Sequence, residues 1–385
     1  MSQARTALVL GAGVGGVVAA TELRRLLPAG DRVIVIDRES SHLFAPSLLW
    51  LMIGDRRPEQ IARPIAGLAK KGIEVVRGEI ENIDHGTRTV TVAGKALTSD
   101  ALIVSLGAEY NEDAIPGLKK AGHNLYTLQG ATGIRDTWRD FRGGRVVILT
   151  AAPAYKCPAA PYEAALLVDY HLGRLGLSKA SEVAIYAAEP GPMLTAGADV
   201  SAAVKQIVET RGVKYFPSHQ VKEVDPAQKQ IHFANGAVAP FDLLIYVPPH
   251  RAPQAVRDAK LTEDSGWIAP DRHTFATRFP GVYAIGDVTT VPLKIGRPLP
   301  KAGVFAHGQA EVVAHNIASE WAGRPERRSY DGQGQCFIEI GHHRAGIGAG
   351  NFYAEPAPEV KVKSPSLRWH AGKVLFEKYW LWKWF

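Results

Sequence analysis

The sequence contains few cysteines and no long apolar run. Its two cysteines, Cys157 and Cys336, exclude a disulfide-rich scaffold for a chain of 385 residues. In a reducing compartment such a pair is more often redox-active or free than a structural disulfide. No apolar run reaches about 18 residues, so a membrane-spanning helix is excluded. The first residues, MSQART, lead directly into ALVLGAG, so we expect no signal peptide and a protein that stays in the cytoplasm.

The excess of positive charge is small and dispersed. The 45 Lys and Arg residues against 38 Asp and Glu residues give a net charge of +7 and a pI near 9.3. No run of five basic residues occurs, so we predict no nucleic-acid partner, although a basic surface suits anionic lipid or an anionic substrate. With 46% hydrophobic and 22% charged residues, the composition is that of a globular enzyme and excludes disorder, collagen and coiled coil. We predict no metal site.

A dinucleotide-binding motif lies near the N-terminus. Residues 6–10 form the short apolar run of a buried parallel strand and are followed by Gly11, Gly13 and Gly16 in the sequence GAGVGG. The first glycine permits the tight turn, the second lets the backbone approach a pyrophosphate, and the third allows close packing of helix and strand. A second strand ends at Asp37, whose carboxylate can accept hydrogen bonds from both ribose hydroxyls. Because the acid disfavours a 2′-phosphate, FAD or NAD fits better than NADP.

Two later segments favour FAD. The apolar strand at 282–285 runs into Gly286 and Asp287 and resembles the second FAD motif of flavoproteins with two dinucleotide-binding domains. That resemblance implies that the aspartate contacts the ribityl chain. Residues 100–107, ending at Gly107, resemble the strand that returns the chain from the FAD domain. We therefore predict FAD as the cofactor.

The order of these segments predicts the fold class and the domain boundaries. We expect an α/β fold with two Rossmann-like dinucleotide-binding domains of the pyridine nucleotide-disulfide oxidoreductase type and a C-terminal membrane-associating region. The FAD-binding domain is discontinuous, at 1–108 and 243–320. The second domain covers 109–242, and the C-terminal region covers 321–385.

The glycine-rich loop is missing from the second domain. Residues 143–150 again read as turn and strand, but the following loop is AAPAYKCPAAP, without glycine. Pro153, Pro158 and Pro161 lack the backbone N–H that a pyrophosphate would need. Cys157 stands in this loop instead. The sequence therefore predicts that a pyridine nucleotide site has been lost and a thiol site gained.

The segments with the two cysteines resemble the sulfide:quinone oxidoreductases and the related flavocytochrome c sulfide dehydrogenases. The resemblance covers almost the whole chain and rests on KCPAAPYEAALL at 156–167, FAPSLLW at 44–50, PKAGVFAHGQ at 300–309 and CFIEIG at 336–341. Many members carry a third cysteine soon after the first return strand, and this chain has none there. The resemblance therefore does not fix the chain length of the sulfur product or its route of release.

This resemblance implies a role for particular residues. Cys157 and Cys336 form a redox pair in which HS⁻ opens a disulfide and two electrons pass to FAD, with Cys336 nearer the flavin. Lys301 stabilises reduced flavin, and Phe337 lies near the quinone. Glu163 is a candidate proton carrier or, alternatively, a surface helix residue. Lys156 is either a cation that favours the Cys157 thiolate or a solvated lysine. Pro46 lies in a segment that borders the cofactor.

Aromatic residues are concentrated in the tail. Four of the eight tryptophans fall within residues 369–385. On a helical wheel one arc holds Trp369, Phe376, Tyr379, Trp380 and Trp384, with Lys373 and Lys383 intruding and able to snorkel towards lipid headgroups. An aromatic, basic helix of this kind is typical of a membrane surface. We predict peripheral attachment to the cell membrane, with a packed or dimer-forming helix as the alternative.

Three other functions remain compatible with the sequence. The chain could be the flavoprotein subunit of a sulfide dehydrogenase that reduces cytochrome c, although the aromatic tail would then have no purpose. It could be a type II NADH:quinone dehydrogenase, which the proline-rich second loop disfavours. It could also be a redox-responsive FAD protein whose disulfide regulates a partner. A homo-oligomer is compatible with all of these.

Overall fold

Two five-stranded parallel sheets organise the chain, of which the computed structural model describes residues 4–385. The strands are β1 (Thr6–Leu10), β2 (Arg32–Asp37), β3 (Ser41–Leu43), β4 (Ala62–Pro64), β5 (Glu74–Arg77), β6 (Ile80–Asp84), β7 (Thr89–Val92), β8 (Lys95–Thr98), β9 (Ala101–Val104), β10 (Glu109–Tyr110), β11 (His123–Asn124), β12 (Gly144–Thr150), β13 (Ser181–Ala187), β14 (Lys214–Phe216), β15 (Val221–Asp225), β16 (Gln230–Phe233), β17 (Val238–Pro240), β18 (Leu243–Val247), β19 (His250–Arg251), β20 (Val282–Ala284), β21 (Gln333–Glu339), β22 (Ala345–Asn351) and β23 (Glu359–Ser366). The helices are α1 (Val14–Leu26), α2 (Leu48–Met52), α3 (Pro58–Ile61), α4 (Leu118–Ala121), α5 (Leu128–Thr137), α6 (Ala160–Arg174), α7 (Ala198–Thr210), α8 (Gln254–Asp258), α9 (Gly303–Trp321) and α10 (Leu367–Lys383).

The first sheet has the strand order β20-β9-β1-β2-β5, and each pair in it is parallel. Its central strands are continuous apolar runs because helices and loops cover both faces. The segments after β1, β9 and β20 all leave the carboxyl edge of adjacent strands. This edge is where an open α/β sheet binds its ligand.

The second sheet has the order β11-β18-β12-β13-β14, again with parallel pairs. The two Rossmann-like sheets confirm the predicted α/β class. One boundary is wrong, because residues 243–247 form β18 and pair with β12 in this second sheet. The chain returns to the first domain through the short antiparallel pair of β10 and β19. An apolar run such as 243–247 fits either domain in the sequence, because the sequence does not show which sheet a buried strand joins.

The C-terminal region forms a three-stranded antiparallel sheet, β21-β22-β23, followed by α10. Ser366 caps the N-terminus of this helix, its hydroxyl accepting a hydrogen bond from the N–H of Trp369. The helix packs on the first domain, where Trp380 and Trp384 are only 3% and 1% exposed. Within residues 4–385 no helix combines the length and the apolar character needed to cross a bilayer.

Candidate functional site

The loop after β1 has the backbone geometry of a dinucleotide turn. Gly11 has a φ of +94°, and a Cβ at Gly16 would lie 1.8 Å from the carbonyl oxygen of Gly11, so neither position tolerates a side chain. By contrast, a Cβ at Gly13 would meet no atom within 4 Å. Asp37 ends β2 beside this loop and accepts a hydrogen bond from its backbone at 2.6 Å. The turn thus leaves open space beside Gly13, on the side where a pyrophosphate would approach.

The segments after β9 and β20 border the same sheet edge. Gly107 has a φ of +67° and open space where a Cβ would be, and Gly286 has a φ of +74°. The Oδ1 atom of Asp287 is buried and has no hydrogen-bond partner among residues 4–385. A buried oxygen of this kind is suited to a hydroxyl donor such as a ribityl chain. The residues present therefore fit FAD, and Pro46, exposed on the short turn Ala45–Ser47, stays a predicted contact.

Lys301 connects two segments of the site. They are the turn at Gly286–Val288, here the flavin-side turn, and the loop between β12 and α6 that carries Cys157, here the thiol loop. Its ammonium donates hydrogen bonds to the carbonyl oxygens of Asp287 and Thr289, at 2.8 and 2.7 Å, and lies 3.4 Å from the ring centroid of Trp267. Burial lowers its pKa to about 8, although Asp287 acts in the opposite direction. Its backbone carbonyl accepts the N–H of Cys157 at 2.6 Å.

The loop between β12 and α6 carries Cys157 in a strained conformation. The φ of Cys157 is +48° and that of Ala154 is +66°, a region that non-glycine residues rarely adopt. The hydroxyl of Tyr126 donates to the carbonyl oxygens of Lys156 and Cys157, at 2.6 and 3.2 Å. Surrounding contacts therefore hold the backbone that presents this thiol.

Cys157 and Cys336 are both free thiols on segments that contact each other. The N–H of Glu339, in the strand of Cys336, donates to Glu163, in the helix that follows Cys157. Both pack against the same buried cluster, and a charge on Cys157 acts on Cys336. Burial raises the pKa of Cys157 to about 12, with a further rise from Glu163, whereas Lys373 lowers it. Burial likewise raises the pKa of Cys336 well above its usual value, with further rises from Cys157 and Glu163. Both thiols therefore hold their protons at neutral pH unless a nearby base accepts them.

A buried network of charged groups joins the segments that carry the two thiols. Glu163 lies in the first turn of α6 and is 2% exposed, so the alternative of a surface helix residue is wrong. Its Oε1 accepts hydrogen bonds from Nζ of Lys373 and from the N–H of Glu339, each at 2.8 Å. The carboxylate of Glu339 in turn contacts Nδ1 of His370 at 2.9 Å. Glu163, Lys373 and Glu339 therefore form a chain of polar contacts that ends at the partly exposed His370.

The sequence did not assign this network correctly. Lys373 was predicted to snorkel towards lipid, but it is buried and paired with Glu163. Lys156 is partly buried, with its ammonium over the rings of Tyr110 and Tyr126, and its effect on the Cys157 thiolate stays a prediction. A detectable signal did exist, since Lys373 interrupts the apolar arc of the tail. A lysine on the inner face of an amphipathic helix needs a buried acid.

Phe337 lies on the side of β21 that faces the C-terminal helix. A Cβ on Gly372 would lie 3.8 Å from its ring. Because side chains alternate along a strand, Phe337 and Cys336 point to opposite faces of β21. The predicted aromatic arc is also partly wrong, since Trp380 and Trp384 pack in the interior, against residues that include His42 and His307. Five other large apolar side chains of α10 are exposed, namely Leu367, Leu375, Phe376, Tyr379 and Trp382.

Comparisons with known proteins agree with this geometry. The family model described as pyridine nucleotide-disulphide oxidoreductase matches residues 5–310. The sulfide-quinone reductase of Aquifex aeolicus (strain VF5) is 27% identical over an alignment of 403 residues, which covers 99% of this chain and 91% of that protein. The mitochondrial sulfide:quinone oxidoreductase of Mus musculus is 22% identical over 364 residues, 91% of this chain and 78% of that protein.

A solved structure is similar over the same extent. The X-ray structure of the sulfide:quinone oxidoreductase from the hyperthermophilic bacterium Aquifex aeolicus matches with a TM-score of 0.90 at 26% identity, and it covers 99% of this chain and 91% of that chain. These similarities confirm the predicted resemblance and the assignment to the oxidoreductases, and they imply a flavin cofactor. The chain belongs to the pyridine nucleotide-disulphide oxidoreductase family.

Proposed function

We propose that this protein is a sulfide:quinone oxidoreductase that oxidises sulfide through Cys157 and Cys336 and passes the electrons by way of FAD to a membrane quinone. The observation that supports the proposal is that the segments carrying the two thiols are joined by Glu163, which accepts the N–H of Glu339 and pairs with Lys373 in the interior. The relatives named for this reaction support it over the alternatives. The glycine-free second loop speaks against a type II NADH dehydrogenase.

FAD is the cofactor that the first domain would hold. In this proposal its adenosine half lies on Gly11, Gly13, Gly16 and Asp37, and its flavin half is bordered by Pro46, Gly107, Gly286, Asp287 and Lys301. When bound, FAD supplies the two-electron acceptor between the thiols and the quinone. The ammonium of Lys301 brings positive charge to the flavin-side turn, which favours a reduced, anionic cofactor.

The sulfur chemistry runs on the cysteine pair in its disulfide form. HS⁻ attacks the sulfur of Cys157, the bond to Cys336 breaks, and the products are a persulfide on Cys157 and a thiolate on Cys336. A second HS⁻ removes the outer sulfur as HSS⁻ and leaves Cys157 as a thiol. The thiol and the thiolate re-form the disulfide with loss of one proton and two electrons. In sum, two HS⁻ give one HSS⁻, one proton and two electrons, and the quinone takes up two electrons and two protons.

Glu163 is proposed to accept the proton that disulfide formation releases. Burial holds the pKa of Cys157 near 12, so the thiol needs a positioned base to react at neutral pH. The ammonium of Lys373 holds the carboxylate of Glu163 in place through a hydrogen bond of 2.8 Å. Glu339 and His370 continue the chain of polar contacts towards solvent.

The exposed face of α10 is the proposed contact with the membrane surface. Tyr379 and Trp382 are 49% and 76% exposed, and Leu375 is 66% exposed. The basic residues Lys378 and Lys383 flank this face and suit anionic headgroups. A protein held in this way would receive quinone from the bilayer, and Phe337, which lies against α10, is the proposed contact for the quinone ring.

One comparison tests the proposal. Purified protein is given quinone under anaerobic conditions with either sulfide or NADH as the reductant, and quinone reduction is followed by absorbance. We expect reduction with sulfide and none with NADH. Activity with NADH would instead identify a type II dehydrogenase. A flavin that neither compound reduces, in a protein with a reversible disulfide, would favour the regulatory alternative.

A further inference from the structure

Glu189 occupies a place that usually belongs to a ligand. It follows β13, the second strand of the second Rossmann-like sheet, as Asp37 ends β2 in the first sheet. In a dinucleotide site the acid at this edge accepts the ribose hydroxyls. Here the carboxylate is buried, with 9% exposure for the residue, and hydroxyl groups of the protein itself surround it.

Three hydroxyl groups donate hydrogen bonds to this carboxylate. Tyr155 lies 2.5 Å and Tyr162 2.8 Å from Oε1, and Thr150 lies 2.7 Å from Oε2. None of the ion pairs found within residues 4–385 includes Glu189. These three hydroxyl groups therefore supply the side-chain hydrogen bonds found for this carboxylate within residues 4–385. Their removal would leave a buried carboxylate with unsatisfied acceptor atoms, which lowers stability.

Two of the donors flank the thiol loop. Tyr155 stands two residues before Cys157, and Tyr162 lies in the first turn of α6, which follows it. Both tyrosines are almost fully buried. The carboxylate thus connects the two ends of the loop to the carboxyl edge of the sheet. Positive φ angles persist at non-glycine residues only where surrounding contacts enforce them, and Cys157 has such an angle.

We propose that Glu189 is a positioning residue for the thiol relay: through Tyr155 and Tyr162 it holds the loop that presents Cys157. The proposal deepens the proposed function and rests on it. Glu189 stands where a dinucleotide site has its ribose-binding acid, and here it holds the loop of the nucleophilic Cys157. Because these contacts already occupy the carboxylate, it is not free to accept ribose hydroxyls. This agrees with the loss of the glycine loop that would bind a pyrophosphate.

The test measures the reactivity of each thiol separately. Reduced protein is treated with iodoacetamide, and alkylation of Cys157 and Cys336 is followed by peptide mass spectrometry, without sulfide or quinone. The variants are Tyr155→Phe, Glu189→Ala and Glu189→Gln, which retains an acceptor oxygen. The control is Tyr186→Phe, which removes a hydroxyl from β13 that does not contact Glu189.

We expect the alkylation rate of Cys157 to change by about fivefold or more in Tyr155→Phe and Glu189→Ala, because release of the loop removes a strained backbone. Cys336 and the control should change less than about twofold, and Glu189→Gln should be intermediate. Unchanged Cys157 reactivity in both variants would overturn the proposal, and so would equal changes at both thiols with lower thermal stability. If Glu189→Ala does not fold, Tyr155→Phe decides alone. Because no substrate is used, failure of the sulfide reaction in the wild-type protein would be a separate result.

Discussion

Nζ of Lys373 lies 2.8 Å from Oε1 of Glu163, although the two residues are 210 positions apart. The contact joins the C-terminal helix to the helix that follows the Cys157 loop. The tail is therefore part of the thiol centre, and not a separable anchor. Deletion of residues 369–385 would remove this lysine together with the buried Trp384, so we expect it to damage the sulfur chemistry as well as any membrane contact.

This ion pair can be tested by a double-mutant cycle. Glu163→Gln or Lys373→Met alone should lower the free energy of unfolding by about 3–5 kcal/mol, because each leaves one buried group without its partner. The double variant should lose clearly less than the sum of the two. Urea unfolding gives the free energy of unfolding of the wild type, the two single variants and the double variant. Additive losses would show that the two side chains do not interact. Glu163→Gln should also lower turnover by about 10²-fold or more if it accepts the proton.

The cysteine pair gives the most direct prediction for activity. Cys157→Ser and Cys336→Ser should each abolish sulfide-driven quinone reduction, because one sulfur cannot form the disulfide. Both proteins should still bind FAD, since the dinucleotide motifs lie outside these positions. Anaerobic turnover with bound FAD quantified by absorbance provides the measurement. Near-wild-type turnover in either variant would refute the relay.

The glycine loop offers a matched pair of substitutions. Gly13→Ala adds a methyl group to open space, so the protein should fold normally while its affinity for FAD falls by about tenfold or more. Gly16→Ala would place a methyl group against the carbonyl of Gly11 and should lower stability by about 1–3 kcal/mol. Thermal unfolding and FAD titration separate the two effects. Full FAD affinity in Gly13→Ala would contradict the proposed pyrophosphate site.

The buried Glu339 should make the free energy of unfolding of the protein depend on pH. Burial raises its pKa from 4.5 to about 7, with Lys373 acting in the opposite direction. A raised pKa adds stability below the unfolded value, and that stability is lost as the pH rises through the folded value. Between pH 5 and 8 the wild-type protein should therefore lose up to about 3 kcal/mol relative to Glu339→Gln. Urea unfolding at both pH values tests this prediction, with the exposed Glu59→Gln as the control. An equal change in the free energy of unfolding for the wild type and Glu339→Gln would contradict the prediction.

Two neighbouring tryptophans separate membrane contact from packing. Trp382 is 76% exposed and Trp384 is 1% exposed. Trp382→Ala should weaken binding to anionic liposomes without changing thermal stability, because it removes interfacial aromatic area alone. Trp384→Ala should lower the free energy of unfolding by about 3–5 kcal/mol through the cavity that it leaves. Liposome sedimentation and thermal melts are the measurements. Unchanged sedimentation of Trp382→Ala would argue against this face as the attachment surface.

The sequence by itself determined the local features. Glycine spacing after an apolar strand predicted the dinucleotide turn, because only glycine fits the backbone at Gly11 and Gly16. The prolines around Cys157 predicted the loss of the second phosphate loop, because proline has no N–H to offer. Such rules act over a few residues, so they can be read along the chain.

Only the tertiary structure decided which distant groups meet. Leu243–Val247 reads equally well as a strand of either sheet, and hydrogen-bond register alone assigned it to the second. Lys373 reads as a headgroup contact until the fold brings Glu163 beside it, and the sequence does not show that Tyr155 and Tyr162 donate to Glu189. A buried charge is stable only with its partners, and a partner 210 positions away in the chain is set by how the sheets and the C-terminal helix pack.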